Sequence, residues 1–237
     1  MIAAPAAQKT TVVLGTATPG GGFPLYGGAI ADIVNATDLS LAIETRNTKG
    51  STENVPLLEA GKLDIALVQG EVAYEALSGV GRAPADLKIV AAMYSTAGMF
   101  VVRAGSAYRS ISDLRGKSIA FGARGSGLVI LSRYVLDGIG LDQDRDFEAV
   151  YLERAGDGPL MVMDGRVAAL WGGGTGWPGF TAVAQGTAGA RFIVPSADEA
   201  KRILAKHAFL KPLTVAAGAR PAEVAAVDHA ADVVAVA

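Results

Sequence analysis

Glycine-rich segments at Gly20-Gly21-Gly22, Gly125-Ser126-Gly127 and Gly172-Gly173-Gly174 follow short apolar runs. Such loops leave backbone N–H groups bare enough to grip a polar or anionic solute. Around them stand uncharged hydrogen-bonding residues: Thr16, Thr18, Ser51, Thr52, Asn54, Gln69, Ser126 and Thr175. Hydroxyls and amides of this kind hold a ligand without reacting with it. Ser51 and Ser126 also suit helix N-caps, a role compatible with ligand contact at the same helix start. Tyr26, Tyr94, Trp171 and Trp177 lie near the same chain segments and can wall a pocket. Arg124 is the cation inside a glycine loop and can pair a carboxylate through two parallel hydrogen bonds; Arg46 and Lys49 read as solvated loop charges. The candidate ligand-binding set is Thr16, Thr18, Gly21, Gly22, Tyr26, Ser51, Thr52, Asn54, Gln69, Tyr94, Arg124, Ser126, Gly127, Trp171 and Gly173.

Other chemistries find no support in the residue pattern. Glu44 stands at a spacing suited to a ribose-binding acid, but Leu25 occupies the position where a dinucleotide fingerprint needs its last glycine. The order Gly122-Ala123-Arg124-Gly125-Ser126-Gly127 fails the same template. Nucleophilic hydrolysis needs a histidine base beside the nucleophile, and neither His207 nor His229 neighbours a glycine loop. The chain contains no cysteine, which removes thiolate metal sites and cysteine nucleophiles. Asp142, Asp144 and Asp146 lack the glycine and terminal glutamate of a calcium loop and read as solvated. The expectation is a binding protein rather than an enzyme, with neither metal nor cofactor.

The elements that must position these residues follow a βα grammar. Thr11 to Gly15 reads as a strand, then comes the Gly20 loop and a helix carrying Leu25, Ile30, Ile33 and Val34. A second strand spans Leu39 to Thr45, a helix opens at Ser51 and stops at Gly61, and Leu63 to Val68 is the third strand. The second half repeats this order: strand Ser118 to Gly122, glycine loop, helix through Leu128 to Leu136, strand Phe147 to Leu152, helix from Pro159 to Gly165, strand Arg166 to Trp171. In both copies a basic residue follows the helix-ending glycine, at Lys62 and Arg166. Ligand sites in open α/β sheets lie at the carboxyl ends of the strands, so two facing copies place their loops on one cleft. The strand-like runs Leu87 to Tyr94 and Met99 to Arg103, separated by Ser95-Thr96-Ala97-Gly98, read as a hinge. A strand at Leu213 to Ala217 is expected to return to the first lobe, and Val224 to Ala237 ends inside an apolar run, which predicts a first lobe truncated at its C-terminus.

A length of 237 residues suits two lobes of ordinary domain size. With 21 basic and 23 acidic residues the formal net charge is −2, so the chain lacks the positive field that nucleic acid requires. Its apolar runs are short of the ~20 residues needed to span a bilayer. The first residues, Met1 to Gln8, lack a charged and apolar leader but resemble the small residues that follow a signal cleavage site.

Four segments, Leu14-Gly15-Thr16 with its glycine loop, Gly50-Ser51-Thr52-Glu53-Asn54, Ala60 to Gln69, and Gly122 to Gly127, together resemble the TAXI family of TRAP-transporter solute receptors. Val101-Val102-Arg103 and Ile111 to Lys117 extend the resemblance, which runs from about Val12 to the C-terminus. It implies the type II periplasmic binding-protein fold: two α/β lobes joined by a strand hinge with a cleft between them. Lobe 1 is expected to comprise residues 9–97 plus 211–237, and lobe 2 residues 98–210. It further implies a periplasmic protein that closes on a small organic acid or amino acid, such as glutamate or 2-oxoglutarate, and delivers it to the membrane subunits of a TRAP permease. Binding proteins of ABC systems for thiamine precursors or sulfonates share the Ala60 to Val68 style of motif, and an enzyme or effector-sensing domain of the same fold is a further alternative.

Overall fold

The computed structural model describes residues 9–174, 176–215, 224–228 and 233–236. Its first half runs β1 (Thr10–Gly15), α1 (Gly22–Thr37), β2 (Leu41–Arg46), α2 (Ser51–Glu59), β3 (Ile65–Val68), α3 (Gly70–Ser78) and β4 (Lys88–Ala92). Then come β5 (Gly98–Arg103), β6 (Ser118–Ala123), α4 (Gly127–Gly138), β7 (Glu148–Leu152), α5 (Gly158–Met163), β8 (Ala169–Gly173), α6 (Pro178–Gln185), β9 (Ala190–Ile193) and α7 (Ala197–Lys206). Three strands, β10 (Lys211–Val215), β11 (Val224–Asp228) and β12 (Val233–Val236), complete the described chain.

Two sheets result. The first has the order β2-β1-β3-β12-β4, with β1 parallel to β2 and β3. The second has the order β10-β11-β5-β8-β6-β7, with β9 also paired to β5. The duplicated layout is visible in the pairing: β2-β1-β3 in one sheet corresponds to β7-β6-β8 in the other, each centred on the strand that precedes a glycine loop. Each sheet packs apolar residues against its helices, while β4, at the edge of the first sheet, is exposed along its length. Leu14, Ala31, Ile43 and Leu67 form one core of the first lobe, and Val55, Leu58, Leu63 and Val68 belong to another. In the second lobe the aromatic residues concentrate: Phe100 lies edge-on to Trp171 at 4.7 Å and to Phe121 at 6.2 Å.

Local sequence explains where the helices begin. Ser196 and Glu199 form a capping box at the start of α7, each satisfying the other's backbone N–H. Ser126 caps α4 by accepting the Leu128 N–H. Gly50 precedes α2 at φ +118°, a backbone shape that favours glycine. Periodicity does not announce α3, because Gly70 and Glu71 open it and the apolar stripe is limited to Val72, Ala73 and Ala76.

The C-terminal strands depart from expectation. The strand expected at Leu213 to Ala217 is β10, and it pairs with β11 in the second sheet, where Leu213 packs on the second-lobe core. Only β12 joins the first sheet, antiparallel between β3 and β4. An apolar run tells that a strand will be buried but not which sheet edge will accept it. Here Gly98 of β5 leaves a pairing position that Val227 of β11 takes. The chain therefore passes between sheets after β4 and again between β11 and β12.

Candidate functional site

The loops after β1, β2, β3, β6 and β8 meet around a cavity of about 380 Å³ between the two sheets. Their connections run into helices, so the N-termini of α1, α2, α3, α4 and α6 all contribute lining residues: Gly22, Ser51, Gln69, Gly127 and Pro178 mark them. The first four N–H groups of a helix have no partner within it, and the macrodipole makes that end positive. Among the described residues, none with a charged side chain lines the cavity.

The polar lining consists of hydroxyls and one side-chain amide. Ser51 Oγ accepts the Gln69 backbone N–H at 3.0 Å, and Ser126 Oγ accepts the Leu128 N–H at 3.2 Å, so each hydroxyl keeps its own proton to donate. Thr18 Oγ1 likewise accepts the Ala155 N–H at 3.1 Å. Gln69 is 3% exposed and lines the cavity; its Oε1 stands beside Gly127, while its Nε2 is buried without a hydrogen-bond partner. Phe23, Leu25, Leu128 and Leu152 supply apolar wall, together with Tyr26 and Tyr94, whose rings meet at 4.8 Å, and Trp177.

Both lips of the cleft are closed by contacts between the lobes. At one, the Gly125 carbonyl accepts from the Thr52 N–H at 3.2 Å and from the Thr52 hydroxyl at 3.0 Å. At the other, the Gly156 N–H donates to the Pro19 carbonyl at 3.3 Å beside the Thr18–Ala155 bond. A Cβ on Gly20, at φ +86°, would lie 2.5 Å from Gly156 Cα, so this lip closes backbone against backbone. Behind the cavity α4 reaches into the first lobe. Ile130 joins the core built around Val55, Leu58 and Val72, and the Tyr134 hydroxyl donates to Glu75 Oε1 at 2.7 Å. Burial and that carboxylate push the Tyr134 pKa up from its ordinary value. Beside them Tyr74 of α3 stacks on Phe209 at 4.3 Å.

Of the sequence-predicted residues, the structure brings Thr18, Gly21, Gly22, Tyr26, Ser51, Gln69, Tyr94, Ser126, Gly127 and Gly173 around the cavity. The other five lie elsewhere. Thr16 bonds the Arg46 carbonyl and Asn47 Oδ1. Asn54 donates from Nδ2 to the Thr16 and Leu67 carbonyls, both at 2.8 Å, which ties three first-lobe segments together. Thr52 is spent on the lobe-to-lobe contact. Trp171 is fully buried, its Nε1 donating to the Leu128 carbonyl at 2.8 Å, because its place in β8 points it into the aromatic core. Arg124 is exposed, its guanidinium 4.7 Å above the Tyr151 ring, and it does not line the cavity. Thr175 and His229 lie outside the described residues. His207 caps α7 and meets Asp137 at 2.8 Å, also away from the cavity.

Sequence reasoning left Trp177 out of the binding set and did not single out Phe23 or Leu128. Trp177 was findable: it is followed by Pro178 at the first position of α6, and a strand end, a glycine run and a proline-started helix mark a cleft loop. Phe23 and Leu128 carry no such signal, since each also fits an ordinary amphipathic helix.

The substrate-binding protein of an amino acid ABC transporter is similar over 96% of this chain and 85% of its own, with a TM-score of 0.58 and 16% identity. The alkanesulfonate-binding protein of Xanthomonas axonopodis pv. citri, bound to MOPS, matches 78% of this chain at TM-score 0.54 and 21% identity, and the match spans 61% of that protein. The effector-binding domain of QuiR, in complex with shikimate, matches over 97% of this chain and 88% of its own at TM-score 0.57 and 12% identity. These likenesses establish the fold as the two-lobed α/β architecture of periplasmic binding proteins. The NMT1-like family profile matches residues 14–236, nearly the whole of the duplicated layout and its crossings, and this chain belongs to the NMT1-like family.

Proposed function

We propose that this chain is an extracytoplasmic solute-binding receptor that closes on a small organic ligand and presents the closed form to a membrane permease. The observation that carries the reading is the cavity itself, set between two lobes and lined by five helix starts with no charged side chain among the described residues. A ligand there bridges the lobes. Moving such a pair from mostly open to mostly closed needs about 5.5 kcal/mol of differential affinity, within reach of several hydrogen bonds in a dry cleft. Ligand-bridged closure, without bond chemistry, is the function this geometry serves.

The solved structures named above favour an ABC-type permease as the partner, since one is the receptor of an amino acid ABC transporter and another binds alkanesulfonates. A TRAP-type permease is the second reading, favoured by the order of the motifs from Leu14 to Gly127. Glutamate or 2-oxoglutarate suits the cavity less well, because Arg124 does not line it and no other cation does among the described residues.

Native mass spectrometry of the purified protein, paired with small-angle scattering, tests the receptor role. The expected result is a small organic molecule released on denaturation and a more compact particle when it is restored. A particle of unchanged dimensions across a panel of organic acids, sulfonates and amino acids, with turnover of any one of them, would overturn it.

A further inference from the structure

We propose that Tyr74 and Glu75 of α3, with Tyr134 of α4 and Phe209 beyond α7, form a clasp between the lobes that favours the closed arrangement whichever solute occupies the cavity; this rests on the receptor reading and adds positioning residues outside its site. None of the four lines the cavity. Two contacts join them across the lobe boundary. The Tyr134 hydroxyl donates to Glu75 Oε1 at 2.7 Å, and the Tyr74 ring lies flat on Phe209, with 4.3 Å between centroids and 12° between planes.

The second-lobe half of the clasp is assembled on its own side. Tyr134 meets Phe209 and His207 edge-on, both at 4.9 Å. Asp137, one turn further along α4, holds His207 Nε2 and Lys206 Nζ, each at 2.8 Å. The end of α7 and the turn that carries Phe209 are thereby fixed to α4, so Tyr134 and Phe209 present one surface. The first-lobe half is two consecutive residues of α3, Tyr74 and Glu75.

Helix geometry connects the clasp to the cavity. α3 and α4 face each other from Gln69 and Gly127, where a Cβ on Gly127 would lie 2.5 Å from Gln69 Cβ, out to Glu75 and Tyr134. Tyr134 stands seven residues beyond Gly127, about 10 Å along the helix. A rotation that parts Gly127 from Gln69 opens the cavity and turns α4 against α3, so the hydroxyl–carboxylate bond and the ring stack do not both survive it. A hydrogen bond to a carboxylate is stronger than one between neutral groups, and the separated rings return to water. Apparent affinity scales with the population able to close, so loosening the clasp weakens every solute by one factor.

The chain has no cysteine, so Ile33→Cys on α1 and Leu160→Cys on α5, two exposed positions away from the clasp, take a pair of nitroxide labels that report the distance between the lobes by pulsed dipolar spectroscopy. The labelled protein, freed of co-purified solute by dialysis, is compared with Tyr134→Phe, Glu75→Ala and the double substitution, each also in a Gly20→Val background that loosens the lip. Tyr134→Phe keeps the ring and removes only the hydroxyl. It is expected to raise the ratio of long to short distances at least ~3-fold, Glu75→Ala to do the same, and the double to go no further than the larger single. A lower urea midpoint with unchanged distances would mean a contribution to folding alone and would overturn the clasp. Distances that lengthen with Gly20→Val, but not with Tyr134→Phe in either background, overturn the clasp and leave the receptor role standing. One invariant distance in every variant overturns both.

Discussion

Two polar layers stand one behind the other in the first lobe, and they differ in what their hydrogen bonds face. In the rear layer, Asn54 is fully buried and its amide protons go to the Thr16 and Leu67 carbonyls, while Thr48 Oγ1 donates to the same Thr16 carbonyl at 3.0 Å. In the front layer, Gln69 is almost as buried, yet its Nε2 finds no carbonyl. Residue type and burial are nearly alike. The difference lies at the amide nitrogen, which reaches two carbonyls in Asn54 and none in Gln69, while each residue leaves one buried amide atom unpaired, Asn54 Oδ1 and Gln69 Nε2.

Substitution can break this comparison. Asn54→Ala takes one of two side-chain donors from the Thr16 carbonyl and the side-chain donor from the Leu67 carbonyl, and is expected to lower stability by about 1–3 kcal/mol in urea unfolding, whereas Gln69→Leu removes a donor that has no partner and should change stability by less than about 1 kcal/mol. Equal losses at the two positions would erase the distinction. A second substitution sharpens it from the lip of the cleft. Gly20→Val places a branched side chain at φ +86° against Gly156 Cα, and it is expected to weaken ligand binding at least ~10-fold and enlarge the particle in small-angle scattering. Unchanged affinity would mean that this lip does not close on the ligand. The smallest effect belongs to Arg124→Ala, which removes an exposed cation over the Tyr151 ring; anion affinity should move less than ~2-fold, with at most ~1 kcal/mol lost in stability. A large loss of anion binding would return Arg124 to the cleft.

The architecture was legible because it depends on coarse signals. Apolar β-branched runs separated by glycine-started helices specify parallel βα units, and the recurrence from Thr11 to Leu67 in Ser118 to Trp171 anticipates the matching β2-β1-β3 and β7-β6-β8 arrangements. The glycine loops also pointed to the right chain segments, since most residues expected beside them line the cavity. Sequence could not separate the two polar layers, because Asn54 and Gln69 owe their roles to carbonyls contributed by distant strands. Nor could it separate Trp171 from Trp177: strand register turns the first into the core, and the chain reversal at Gly174, φ +89°, delivers the second to the cavity. Arg124 misled for a related reason. Its loop borders the cleft, but its side chain folds outward over Tyr151.

The arrangement of α4 has a mechanical consequence. Its first turn, at Gly127, touches the cavity, while Ile130 and Tyr134 along its flank are anchored in the opposite lobe. A helix clamped this way ties the two lobes together directly behind the cavity. Were the lobes to part, the Tyr134–Glu75 bond and the seat of Ile130 would have to give first, so α4 sets the resistance of the closed arrangement.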